Sequence, residues 1–198
     1  GDFAGSGKFD IAVANSESST LSVLTNRGRG RFDGQIAITL PENPTSVVMV
    51  QSTLSSNKTL LVSHSGDDKV TMVALAEDPR QSQSLSVPTG AEPFVLSANL
   101  KDNRLQFFVR HRSTKDRSYL LSSFEQISAT QFVEQSLRTT LPTRIIAINV
   151  YAGQNPRGSE LFFATNDQGR TTISSATSES GMEFKSPKPW VSFADSTV

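Results

Sequence analysis

The sequence predicts an all-β fold, a β-propeller of four-stranded antiparallel blades with about four blades present, on three observations. Apolar strand cores recur at roughly 50 residues, within the range of propeller blades. Each core follows a proline-marked turn with a compact apolar strand, and precedes a polar turn with an alternating strand. Apolar residues almost nowhere recur at three-and-four spacing over ten residues, so no helix is expected beyond a short turn at residues 124–128. A β-sandwich also has many short strands, but it has no reason to repeat this unit four times.

The innermost strand of each blade is the proline-marked one. Pro44 leads into Ser46-Val47-Val48-Met49-Val50, Pro93 into Phe94-Val95-Leu96-Ser97-Ala98, and Pro142 into residues 144–150. Nearly continuous apolar runs of this kind suit strands buried on both faces. The second strand holds the recurring core: Ile11-Ala12-Val13-Ala14-Asn15, Leu60-Leu61-Val62-Ser63-His64, Phe107-Phe108-Val109-Arg110-His111 and Leu161-Phe162-Phe163-Ala164-Thr165. Polar turns follow at Ser16-Glu17-Ser18-Ser19, Ser65-Gly66-Asp67-Asp68 and Asn166-Asp167-Gln168-Gly169. Third strands are expected at 20–25, 69–75, 118–123 and 170–175. Weaker outer strands are expected at 35–39, 83–87, 131–135 and 182–185, where edge positions tolerate polar patterning.

These elements divide one propeller region, 1–198, into blades at about 1–45, 46–92, 93–142 and 143–189. Pro189 then leads into Trp190-Val191-Ser192-Phe193-Ala194, read as the inner strand of a following or ring-closing blade. The favoured reading is a fragment of a larger propeller; a closed four-bladed ring is the alternative.

Composition removes whole classes of function. The 19 basic and 19 acidic residues balance, so no broad field recruits nucleic acid or an anionic membrane. There is no cysteine, hence no disulfide, zinc–thiolate site or thiol nucleophile. No apolar run is long enough to span a bilayer, so no membrane insertion is expected. Apolar content of 36% with many Ser and Thr suits half-solvated sheets. The start lacks an initiator Met and a signal peptide, as in a processed or excised piece.

The first 32 residues carry the most specific pattern. Gly1-Asp2-Phe3-Ala4-Gly5-Ser6-Gly7-Lys8-Phe9-Asp10 runs into the first apolar strand, and the unit ends in Asn26-Arg27-Gly28-Arg29-Gly30-Arg31-Phe32. This resembles the FG-GAP or VCBS repeat, the blade unit of integrin-like β-propellers. The resemblance implies exported localisation, secreted or at the cell surface, further blades in the parent chain, and a loop that wraps calcium. By the motif, Asp2, Ser6 and Asp10 would supply side-chain oxygens, Lys8 its carbonyl, and Gly7 the sharp turn. Ala4 stands where Asn or Asp is usual, and Ser6 where Asp is usual. With two carboxylates left, the loop is expected to bind Ca²⁺ weakly or not at all. The competing reading is that Asp2 and Asp10 cap backbone N–H groups. Later blades lack the motif.

In propellers of this type one face carries the loops that contact ligands. Here it would hold Asn15, Glu17, His64, Asp67, Asp68, His111, Arg112, Lys115, Asn166 and Asp167, with Glu42, Asn43 and Glu92 on the connections between blades. One reading is a mixed-charge docking surface for a protein or glycan; the other is a row of solvated turns whose histidines bond neighbouring carbonyls. His64 and His111, in successive blades, stand too far apart for a metal pair or catalytic dyad. No G-x-S-x-G is present, and acidic residues form no defensible glycosidase pair. Arg27, Arg29 and Arg31 lack the interleaved aromatics of a nucleic-acid site. Asn57-Lys58-Thr59 fits a glycosylation sequon. Tyr119 and Trp190 could stack a sugar ring, though core packing suits Trp190 better.

The expected function is a non-catalytic propeller module mediating protein or carbohydrate binding. The alternatives are the scaffold of an exported, for example polysaccharide-acting, enzyme whose catalytic residues lie elsewhere, and a spacer without a ligand.

Overall fold

The computed structural model describes residues 1–50, 58–101, 104–113, 115, 119–136, 145–152, 159–167, 169–178 and 188–194. The chain is all-β, folded into successive antiparallel sheets. The first sheet has three strands, β1 (Ile11–Asn15), β2 (Thr20–Leu24) and, beyond a small hairpin of β3 (Asn26–Gly28) and β4 (Arg31–Phe32), β5 (Ile36–Thr39). The second runs β6 (Pro44–Val50), β7 (Lys58–His64), β8 (Lys69–Leu75) and β9 (Gln83–Pro88). The third runs β10 (Ala91–Lys101), β11 (Arg104–Arg112), β12 (Tyr119–Gln126) and β13 (Phe132–Ser136). The fourth runs β14 (Ile145–Ala152), β15 (Ser159–Asp167), β16 (Arg170–Ser178) and β17 (Lys188–Ala194).

Each four-stranded sheet is a meander in which every strand lies beside its neighbour in sequence, and in the first sheet β5 joins β2 across the small β3–β4 hairpin. The turns make this possible. Ser19 and Asp68 adopt the left-handed conformation (φ 52 and 48) at the same place in the β1–β2 and β7–β8 turns. Asn43 does so just before β6, and Glu92 at the second residue of β10 (φ 50 and 49). Leu40 N–H donates to the Ser19 carbonyl, and Thr89 N–H to the Asp68 carbonyl, each at 2.9 Å. These pairs share one spacing, about 49 residues, so the first two units repeat in backbone geometry as well as in apolar pattern.

The sheets pack face to face. Leu21 and Val23 of the first sheet, with Leu40, form one core with Leu60, Val62, Val73 and Leu75 of the second. The opposite face of the second sheet puts Leu61, Val70 and Val87 against Val95, Leu105, Phe107, Val109 and Phe124 of the third. Phe107 stacks on Phe124 with ring centroids 5.0 Å apart, and Phe132 meets it edge-on at 5.5 Å. The leading strands also touch in series: β1 with β6, β6 with β10, and β10 with β14.

Three expectations need correction. The leading strands are not the most buried: β6 is half-buried along most of its length, whereas Leu60, Leu61 and Val62 of β7 are fully buried. A leading strand is a sheet edge; a second strand has a neighbour on each side and, in the middle sheets, another sheet over each face. Next, residues 190–194 do not begin a further sheet or close a ring onto β1. They lie in β17, which pairs with β16 from Arg170↔Ala194 to Ser175↔Lys188 and takes the outer place. That place was assigned to residues 182–185, which lie outside the described residues. Pro189 fits there, because an outer strand needs no ladder donor from every residue. Pro44 and Pro93 instead sit beside register shifts in their strands. Finally, residues 124–126 continue β12 as strand rather than turning into a helix. A single 3₁₀ turn at Pro79–Gln81 was not foreseen; the Asp78 carboxylate caps it by accepting from Arg80 N–H at 3.0 Å.

Candidate functional site

The glycine-rich first loop is closed by its own two carboxylates. Asp10 is buried, only 4% exposed. Its Oδ2 accepts from the N–H groups of Phe3 (2.6 Å) and Ala4 (2.8 Å), and its Oδ1 from Asn26 N–H (2.8 Å). Asp2 accepts from Ser6 and Gly7 N–H groups, both at 3.0 Å. Desolvation works to raise the Asp2 pKa, but the N–H groups of Gly7 and Ser6, then the charge of Lys58, hold it below the ordinary carboxylate value. Gly5 and Gly7 sit at φ 69 and 75, which lets the loop curl around Asp2. The Lys58 ammonium, from β7 of the second sheet, donates to the Asp2 carbonyl and stands 3.7 Å from Asp2 Oδ1.

This donor set fits a bound cation poorly. Both carboxylates point their oxygens at N–H donors, Ala4 offers no side-chain oxygen, and an ammonium already sits on Asp2. Among the described residues no cluster of three or more His, Asp or Glu could hold a metal. The arrangement matches the capping reading of Asp2 and Asp10.

The turns of the loop face are tied in a similar way. Asp67 Oδ2 accepts from Glu42 N–H at 3.1 Å and pairs with Lys69 at 3.3 Å. Asp68 Oδ1 accepts from Glu92 N–H at 3.3 Å. One turn therefore holds the connection into β6 and the start of β10, the leading strands of two adjacent sheets. Arg112 reaches back to Glu92, 3.3 Å from Nε to Oε2, and its guanidinium lies 5.5 Å from the Tyr119 ring. Arg110 stacks nearer, 4.7 Å from the same ring and 5.3 Å from that of Phe94.

Both histidines face inward. His64 has no exposed surface, and its Nδ1 lies 3.1 Å from the Glu42 carbonyl. Burial lowers its pKa, against the weaker pull of the Glu42 and Pro41 carbonyls. The neutral ring is the folded form, so stability falls as pH drops below about 6.5 and the unfolded chain takes up the proton. His111 presses on Gly90, where an added Cβ would collide with the imidazole ring. Its Nε2 lies 2.9 Å from Ser122 Oγ, which donates to Glu134 Oε1 at 2.7 Å. A serine, a histidine and a glutamate in contact suggest a catalytic triad. Here, however, Ser122 is 1% exposed and the carboxylate binds the serine, not the far ring nitrogen. The chain ties β11, β12 and β13 together and presents no nucleophile to a substrate.

Asn15 and Asn166 do one job in two sheets: each side-chain amide spans its turn to a threonine hydroxyl, Thr20 or Thr171, at 3.1 Å. Asn15 also reaches Ser22 at 2.6 Å. Glu17 and Lys115 are exposed. Asp167 ends β15, and its side chain lies outside the described set, as does Asn57 of the sequon.

Sequence reading missed Gln35. It donates to Ser22 Oγ at 2.7 Å and lines two clefts. One, about 460 Å³, is walled by Asn15, Ser16, Glu17, Ser18 and Gln35. The other, about 610 Å³, lies between the outer strand of the first sheet and the 3₁₀ turn of the second, among Arg27, Asp33, Glu77, Asp78 and Arg80. Arg27 there is held by Asp33, Nε to Oδ1 at 2.8 Å. No periodic signal marks residue 35, because it joins the site through its neighbours in the sheet.

No family model matches the chain, and no curated protein matches it. The resemblance of residues 1–32 to a propeller repeat rests on those residues alone.

Proposed function

We propose that the chain is a set of β-propeller blades acting as a non-catalytic binding module of a secreted or cell-surface protein, with carbohydrate as its ligand. The observation that carries this reading is the cleft beside the β1–β2 turn. Its wall is Asn15, Ser16, Glu17, Ser18 and Gln35; Asn15 gives its amide N–H groups to Thr20 and Ser22, and Gln35 gives one of its own to Ser22, so the amide carbonyls, the two serine hydroxyls and the Glu17 carboxylate are what meet a ligand rich in hydroxyl groups. The remainder of the loop face supports recognition less, since Asp67, Asp68 and both histidines are spent on internal contacts. Calcium is not needed for this role, and the first loop is proposed to bind it weakly if at all.

Among the described residues no helix is long and apolar enough to cross a membrane. The propeller arrangement is supported by the meander order of the sheets, their face-to-face cores and the serial contacts of the leading strands.

A glycan array probed with the labelled chain tests the reading, followed by titration of any hit against Glu17→Ala and Gln35→Ala. Both variants are expected to weaken binding by about tenfold or more; Glu17→Ala should leave thermal unfolding unchanged, and Gln35→Ala should lower it only by the loss of its hydrogen bond to Ser22. Equal binding by both variants would move the site elsewhere. A silent array, with binding recovered only from a protein partner, would replace carbohydrate by protein as the ligand.

A further inference from the structure

Arg27, Arg29 and Arg31 stand on alternate positions around Gly28 and Gly30. The chain folds them into the β3–β4 hairpin, a two-stranded sheet of its own, separate from the first sheet. Gly28, Arg29 and Gly30 are left-handed in succession, at φ 88, 55 and 73, so the tip is a tight turn. The foot of the hairpin lies where the first and second sheets adjoin. Arg27 and Asp33 line the cleft whose far wall is the 3₁₀ turn of the second sheet.

Gly28 is the centre of a cationic group. Arg31 is its partner across the hairpin, and Arg29 is its neighbour in the chain. Lys8, from the glycine-rich loop, lays its side chain on Gly28, with Nζ 3.7 Å from where a Cβ would stand. Lys8, Arg29 and Arg31 are all exposed. The carboxylates close by are already taken. Asp33 holds Arg27 through both oxygens, 2.8 Å from Nε and 2.5 Å from Nη2. Asp10 is buried under three N–H groups. Asp2 faces the N–H groups of its own loop and Lys58. Among the described residues, Lys8, Arg29 and Arg31 have no side-chain hydrogen bond or ion pair. A chain with no net charge thus carries three unpaired cations beside one glycine.

We propose that this hairpin docks the sulfate groups of an acidic polysaccharide. The sign of the charge asks for an anion. Three separate cations around one point suit a group with three terminal oxygens, such as a sulfate ester. A carboxylate has two, which one guanidinium fork already fills, and a phosphodiester likewise leaves two. The arginines supply paired N–H groups, and Lys8 a point charge. A small patch on a neutral molecule fits a few sulfates along a sugar chain better than the long run of phosphates that nucleic-acid binding neutralises. The choice of a sugar as carrier rests on the carbohydrate reading, but the patch shares no residue with the cleft at the β1–β2 turn.

Binding of a fluorescent heparin decasaccharide, first at low ionic strength and then across a salt series, is the test. The unmodified chain is expected to bind it and to lose affinity steeply with salt. Arg29→Asn with Arg31→Gln removes two cations, and Asn tolerates the left-handed turn. This variant should bind at least about tenfold more weakly with its thermal melt in place. Should the melt move, Lys8→Gln, outside the turn, reads the same loss. Arg29→Lys with Arg31→Lys keeps the charge without the fork and should fall in between. A chain that does not bind heparin overturns the proposal, and so does a hairpin variant that binds it as before. Heparosan of equal length carries carboxylates without sulfates; if it binds as tightly, the sulfate assignment falls. A single-stranded oligothymidylate of equal charge that binds as tightly makes nucleic acid the ligand and overturns the sugar. If Glu17→Ala loses heparin while the hairpin variant keeps it, the cleft holds the chain: the carbohydrate reading stands and this proposal falls.

Discussion

Asp10 shows how a residue chosen for one chemistry serves another. Its position after a glycine-rich loop suggested a metal ligand, and the same position makes it a buried cap. Three backbone N–H groups, from Phe3, Ala4 and Asn26, have the carboxylate as their acceptor. Asp10→Ala leaves them unpaired in a part-buried place, at a cost of about 2–4 kcal/mol. Urea unfolding of both proteins, with EDTA and with Ca²⁺, measures it. The loss is expected to be equal in the two buffers, and a loss confined to Ca²⁺ would restore the metal reading. Sequence made both readings of Asp10 visible, since its spacing suits either. It could not show Lys58 standing against Asp2, because that contact joins residues far apart in the chain across two sheets.

Most elements were legible because sheet patterning is local. The β7–β8 hairpin is marked by apolar runs on either side of Ser65-Gly66-Asp67-Asp68, and it forms as read. The fourth sheet was read less well. Trp190, Val191 and Phe193 look like a buried strand by their apolarity, yet they lie on an outer strand. Apolar content reports what a residue would gain by burial, not whether a neighbouring sheet is present to bury it. The turns carry a finer requirement, which Asp68 illustrates. Its φ of 48 disfavours a side chain with a Cβ and no local hydrogen bond, and its carboxylate holds the Glu92 N–H. Asp68→Asn keeps both features and is expected to be neutral. Asp68→Gly loses the hydrogen bond but relieves the backbone. Asp68→Ala loses the bond and keeps the strain, at about 1–2 kcal/mol. Thermal melts ranked Asn, then Gly, then Ala check the order; an Ala variant as stable as the Gly variant would mean that the turn does not need its left-handed residue.

At the scale of the whole molecule, stability is set by how many faces of a sheet are covered. A strand inside a sheet has its hydrogen bonds on both sides wherever that sheet stands, so β2 and β7 are alike in pairing. They differ in coverage. Around β2 one face of the sheet packs on the core and the other exposes Ile11 and Val13, whereas β7 has Leu60 and Val62 on one covered face and Leu61 on the other. Stacks in which each unit touches only its neighbours tend to open from their ends. Hydrogen exchange reads this directly. Amides of β7 and β11 are expected to exchange slowest, and those of β2 and β16 at least about tenfold faster, since losing one packed face removes 1.4 kcal/mol or more of protection. Equal protection in all four strands would mean that the sheets unfold as one unit, and that the faces exposed on the first and fourth sheets do not weaken them.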